Sequence, residues 1–125
     1  MLRIVRLGSS RVRGEGLRIG AVRFPPRGVP KGDVAKRDIY DLWFPLLAPS
    51  AELIAGFRAG DITEAQFFRR YRAEMKERAS AQALELLAAL SRQTNLSIGC
   101  YCEDEAHCHR HVLRELLTRL EADVR

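Results

Sequence analysis

The chain has 125 residues, 46% of them hydrophobic, and carries a net charge of +5, which predicts a single domain over residues 1–125 with a real core. No apolar run approaches ~18 residues, and the opening MLRIVRLGSS lacks the apolar stretch of a signal peptide, so a cytoplasmic protein with no membrane partner is expected. Three cysteines, two of them a single residue apart, exclude a disulfide framework and fit reduced thiols.

LRIVRLG alternates apolar and basic residues and reads as a half-buried strand. After the loop SSRVRGEG, GLRIGAVRF reads as a second strand with Leu17, Ile19 and Ala21 on one side. PPRGVPKGDVAKRD is extended, basic and irregular, longer than an ordinary connection. IYDLWFPLLAPS predicts a short helix or turn near Pro45, with Trp43 and Phe44 in the core. Ser50 is a good N-cap for AELIAGFRAG, which Gly60 ends. Thr63 and Gln66 form a capping-box pattern ahead of a helix that places Phe68, Tyr71 and Met75 on one face. Ser80 reads as the cap of a further helix with Ala83, Leu86, Leu87 and Leu90 as its apolar stripe. NLSIGCYC is a strand and AHCHRHVLRELLTRLEADV a helix. Two strands, then helices, then a strand and a closing helix imply an α/β fold with a small sheet.

All three cysteines and all three histidines fall between residues 97 and 113. Strand alternation puts Leu96, Ile98, Cys100 and Cys102 on one face, so both thiols should point inward. In the helix, Val112, Leu113, Leu116, Leu117, Leu120 and Val124 define the buried stripe, and one turn back His109 lies at its centre. Cys108 and Arg110 flank it, while His107 and His111 fall on the solvent side. Cys100, Cys102, Cys108, His109 and Arg110 should therefore converge where the strand ends and the helix begins. That junction is where open α/β sheets place ligands, and a helix N-terminus favours anions and thiolates.

Four chemistries fit such a corner. Cysteine and imidazole are zinc ligands, but C-x-C with no second knuckle is not a standard finger spacing. A nucleophilic Cys108 or Cys100 would be activated by His109 or Arg110. An anion site would use Arg110 with Arg23 and Arg27 from the Pro-rich loop. The plain reading is that the cysteines are small core residues and His109 a satisfied buried histidine.

Four blocks carry a resemblance: PRG (Pro26, Arg27, Gly28), LAPSAEL (Leu47 to Leu53), FRRYRAEM (Phe68 to Met75) and DEAHCHRHVLRELL (Asp104 to Leu117). From about Val22 to Leu117 the chain resembles the YeaO-like members of a bacterial and archaeal domain-of-unknown-function family (number 488). The wider family resembles C-x-E-x-D-x-x-x-C-H-R after the last strand. Cys100, Asp104, Cys108, His109 and Arg110 match it, with Cys102 where Glu is usual. Members closest to PRG and LAPS usually begin VDRLWPRG, where this chain has AVRFPPRG, so the acidic residue gives way to Val22 or Ala21. The resemblance implies an α/β fold with a small central, mostly parallel sheet flanked by helices. It implies no established activity.

These readings combine into a ligand site at the end of the last strand, with no cofactor. Cys108, His109, Arg110 and Cys100 are its candidate catalytic residues, and Arg23, Arg27 and Asp104 its candidate ligand-binding residues. The expected partner is an anionic small molecule or phosphate-bearing ligand. One alternative is a basic nucleic-acid-binding module without catalysis, using RVRGEGLR, the Pro-rich loop and RRYR. The other is a structural zinc protein.

Overall fold

The computed structural model describes residues 1–125. Its four strands are β1 (Leu2–Arg6), β2 (Leu17–Gly20), β3 (Leu42–Trp43) and β4 (Leu96–Cys100). They form one sheet in the order β1-β4-β2-β3 with every pairing parallel. β4 pairs on both sides and is buried at all five positions, as a central parallel strand requires. Helices α1 (Ala51–Arg58), α2 (Glu64–Glu74), α3 (Arg78–Ser91) and α4 (Arg110–Arg119) follow. No helix is long and apolar enough to cross a membrane.

The main core joins Leu2, Ile19, Leu96 and Ile98 of the sheet to Leu53, Tyr71, Leu84, Leu87, Val112, Leu113 and Leu117 of the helices. A second, smaller cluster holds Leu7, Val22, Val34 and Tyr40 together with Cys100 and Cys108. The sulfurs of Cys100 and Cys108 therefore sit in an apolar nest at the carboxyl end of the sheet.

β1 and β2 flank β4 and run parallel, so residues 7–16 must carry the chain back to the start of the sheet. Gly16 ends this return with φ of +80°, and a Cβ there would lie 1.9 Å from the Asn95 carbonyl oxygen. Only glycine meets both demands. The return is fixed from within by Arg18, which is fully buried. Its guanidinium donates to Glu15 at 2.8 and 3.0 Å, to the Ser9 carbonyl at 2.8 Å and to the Asp38 carbonyl at 2.6 Å. Glu15 also accepts from the Ser97 hydroxyl on β4 at 2.7 Å.

The caps at Ser50 and Thr63 fall where the sequence puts them, whereas Ser80 is no cap: it lies inside the third helix, whose N-cap is Glu77. Ser50 accepts from the Leu53 N–H, and Thr63 and Gln66 form a complete capping box. Other expectations shift. Trp43 is 41% exposed on the short edge strand rather than in the core, with its indole N–H donating to the Val22 carbonyl. Leu17 is exposed at the start of β2, and the buried residues there are Arg18 and Ile19. α3 begins at Arg78 and buries Ser80, Leu84, Leu87, Ala88 and Ser91, leaving Leu86 60% exposed. The buried face thus combines Leu84 and Leu87 with the small Ser80, Ala88 and Ser91, while Leu90 joins Leu86 on the exposed side. Val124 leaves the last helix and bridges to Leu2.

Candidate functional site

β4 ends at Cys100, and the chain turns through residues 101–109 before α4 begins at Arg110. Asp104 accepts from the Ala106 N–H at 2.9 Å and caps a 3-10 turn over Glu105–His107. Cys108 follows in extended conformation, and His109 stands at the N-cap of α4. The helix thus starts later than the sequence suggests. The turn, rather than a helical face, brings Cys108 inward.

The three sulfurs, Cys100 Sγ, Cys102 Sγ and Cys108 Sγ, all lie within 4.8 Å of one another. Cys100 and Cys102 are 3.7 Å apart. Cys100 and Cys108 are buried, whereas Cys102, one residue past the strand's last neighbour, is exposed. The expectation that both strand thiols point inward fails at Cys102, because the ladder ends at Cys100. Its sulfur still reaches the other two.

Hydrogen bonding among the sulfurs divides their acidities. The Cys102 pKa is pushed well down, first by donation from Cys100, then by Cys108, with the Arg110 charge adding to both against the effect of burial. The Cys100 pKa is pushed up, chiefly because it donates to Cys102. For Cys108, the bond from Cys100 favours the thiolate, but donation to Cys102 and burial outweigh it and raise the pKa.

His109 is buried, and its ring packs edge-on against Tyr71 with centroids 5.2 Å apart. Its Nε2 lies 2.8 Å from the Ala21 carbonyl oxygen, an acceptor, so Nε2 carries the proton. Nδ1 then presents a lone pair 3.7 Å from Cys108 Sγ. Burial pushes the pKa to about 4, against the smaller opposing pull of the Ala21 carbonyl, which keeps the ring neutral at pH 7.

Arg110 is only 4% exposed. It donates from Nη2 to the Cys102 carbonyl at 2.7 Å, and its Nε–H has no partner. It does not line the cavity described next, so it braces the cysteine loop from behind. It forms no ion pair, although eight other arginines do. Asp104 is also outside the cavity lining and serves the turn.

In front of the sulfurs lies a cavity of about 950 Å³, lined at one end by Cys100, Cys102, Cys108 and His109. Arg23 and Arg27 of the Pro-rich segment line it as the sequence suggests, and Arg58 from the end of α1 joins them. Arg23 is held by donating to the carbonyls of Pro49 at 3.0 Å and Ala48 at 3.2 Å. None of the three pairs with a carboxylate. Phe24, Phe57, Phe67 and Phe68 supply apolar wall, with the Phe57 and Phe67 rings tilted at 46° and 5.0 Å between centroids. Glu64, the one carboxylate in the lining, is taken by His107 at 3.0 Å, which raises the His107 pKa. His107 is exposed as expected. His111 is instead half-buried, donating to the Cys108 carbonyl at 2.7 Å and packing 4.4 Å from the Phe68 ring. Sequence reasoning missed Arg58 and the phenylalanine wall, since nothing in their local pattern separates them from a solvated face and a core.

The chain matches the family model described as the active DUF488-N3 subclade over residues 2–121, in agreement with the resemblance read from its sequence blocks. No curated protein matches, and no solved structure matches.

Proposed function

The chain belongs to the DUF488-N3 subclade, and from that premise we propose that it is a cytoplasmic small-molecule enzyme whose substrate is an anion with an apolar body. One observation carries this reading. Arg23, Arg27 and Arg58, none with a carboxylate partner, share a cavity with Cys100, Cys102, Cys108 and His109. A guanidinium without an internal carboxylate is suited to a phosphate or carboxylate from outside, which it binds through a planar fork. Arg23 is already oriented by two backbone carbonyls, so little is lost in ordering it. The phenylalanine wall suits an apolar body, and the volume is within the usual range for small-molecule sites.

The roles follow from position. The sulfurs of Cys100, Cys102 and Cys108 are the reactive centre, and His109 offers its Nδ1 lone pair beside them. Arg110 and Asp104 position the loop that carries them. Arg23, Arg27 and Arg58 hold the anion. The family's description as an active subclade agrees with chemistry at this floor. Three free thiols suit the reducing cytoplasm.

Fluorescence titration with 1-naphthyl phosphate, against 1-naphthol and inorganic phosphate, tests the reading. The phosphate ester should bind more tightly than either half, and Arg27→Ala or Arg58→Ala should each weaken it about tenfold, the value of one charge-assisted contact. Equal affinity in the double variant overturns the assignment.

A further inference from the structure

We propose that Cys100, Cys102 and Cys108 bind one zinc ion as thiolates, with the fourth coordination position turned to the cavity. The inference deepens the reading above. The open position rests on that cavity being the substrate site, whereas the metal does not.

Distance is the first argument. Tetrahedral zinc with Zn–S near 2.3 Å sets its sulfur ligands about 3.8 Å apart. Cys100 Sγ and Cys102 Sγ are already 3.7 Å apart, and the third sulfur lies within 4.8 Å of both. The ligands come from the end of β4, the loop after it and the residue before the N-cap of α4, so the folded sheet and helix bring them together.

Charge is the second argument, and it is independent of the first. Arg110 is buried with no carboxylate partner. A buried cation needs an anion or costs several kcal/mol. Glu105 feels the charge of Arg110 but is already taken at both oxygens by Arg114, so the other groups beside Arg110 that can become anionic are the sulfurs. Three thiolates packed together repel strongly and need a cation among them. One divalent ion and three thiolates carry a net charge of −1, which the guanidinium of Arg110 balances.

Donor chemistry selects the metal. An all-sulfur set favours zinc over the hard cations that take oxygen ligands. Three protein ligands with one position left for water or substrate is the catalytic pattern, whereas four is the structural one. His109 stands beside the cluster, in contact with Cys108, its tautomer fixed by the Ala21 carbonyl. That tautomer leaves the Nδ1 lone pair on the side of the sulfurs, free to accept a proton or hydrogen bond there. The cavity in front of Cys102 gives a ligand direct access to that position.

The test uses the full, untagged chain purified under reducing conditions from zinc-supplemented cells. Metal analysis should find about one zinc per chain, with no thiol titratable until a chelator is added. Cobalt added to the stripped protein should give a sulfur-to-metal charge-transfer band and the intense visible bands of a tetrahedral site. His109→Ala should keep the metal, while Cys108→Ser should lose the charge-transfer band. If Cys108→Ser fails to fold, zinc protection of the wild-type thiols from alkylation decides instead. Metal-free protein that takes up no cobalt overturns the proposal, as does a thiol count of one, which indicates a disulfide. Loss of metal in His109→Ala overturns the open position, because the imidazole is then the fourth ligand. Naphthyl phosphate titrated into zinc-loaded and stripped protein separates the two readings. Binding without metal uptake sinks only the zinc, and zinc without phosphate binding sinks only the cavity assignment.

Discussion

Glu15 and Arg18 form the costliest ion pair in the molecule to break. Both are almost fully buried, and neither has water to fall back on. Burial alone raises the Glu15 pKa, but hydrogen bonds from Arg18, Ser97 and the Val12 N–H outweigh it and bring the value to about 2, below the ordinary 4.5. A depressed carboxylate stabilises the fold above its unfolded pKa, and that contribution is lost as pH falls through the folded value. Acid should therefore remove this contribution between about pH 4.5 and 2. Glu15→Gln keeps the shape but leaves Arg18 buried without a counter-charge, at a cost of about 3–5 kcal/mol. Urea unfolding at pH 7 checks the size. The same experiment at pH 3 should show a smaller gap between wild type and variant, because wild-type Glu15 is then partly past its protection. An unchanged gap would mean that the carboxylate charge is not what holds Arg18.

At the scale of elements, local chemistry decides which features a sequence displays. The Thr63 and Gln66 capping box satisfies N–H groups within one turn, so it is visible in four residues. Thr63→Ala should cost about 1 kcal/mol, read as a lower thermal midpoint with the fold retained. The cap at Ser50 was legible for the same reason, and the cysteines and His109 were legible as neighbours because one short stretch between a strand and a helix holds them all; the parallel pairing came only from the family resemblance. What was not legible depended on tertiary contact. α3 packs on Leu84, Leu87 and its small residues, so the stripe is rotated from the one that Leu86 and Leu90 suggested, and only the packing partners set that rotation. α4 begins at Arg110 because the cap at Asp104 closes a separate turn first, so a helical wheel drawn through Cys108 had no helix beneath it. Arg58 enters the site only because α1 ends beside the Pro-rich segment, a long-range fact with no local signature.

Across the whole molecule, the net charge of +5 is carried by the cations that no carboxylate answers, and many arginines are not among them. Arg6, Arg11, Arg18, Arg37, Arg72, Arg114, Arg119 and Arg125 are each tied to a carboxylate. Of RVRGEGLR, the segment offered for phosphate contact, Arg11 is held by Asp38 and Asp41 and Arg18 is buried, which leaves Arg13. Nucleic-acid affinity depends on many phosphates neutralised together and falls steeply with salt. A cavity mouth with three arginines acts at contact distance, inside the ~8 Å screening length of physiological salt, and is weakened far less. At about 0.15 M salt, duplex binding should be weaker than the ~10⁻⁴ M edge of ordinary non-specific association, while naphthyl phosphate binding persists. Titrating both ligands across a salt series checks this. A steep, multi-phosphate slope with duplex DNA, unaffected by Arg27→Ala and Arg58→Ala, would move the functional surface away from the cavity. A shallow slope for the small anion, removed by the same two substitutions, would fix it there.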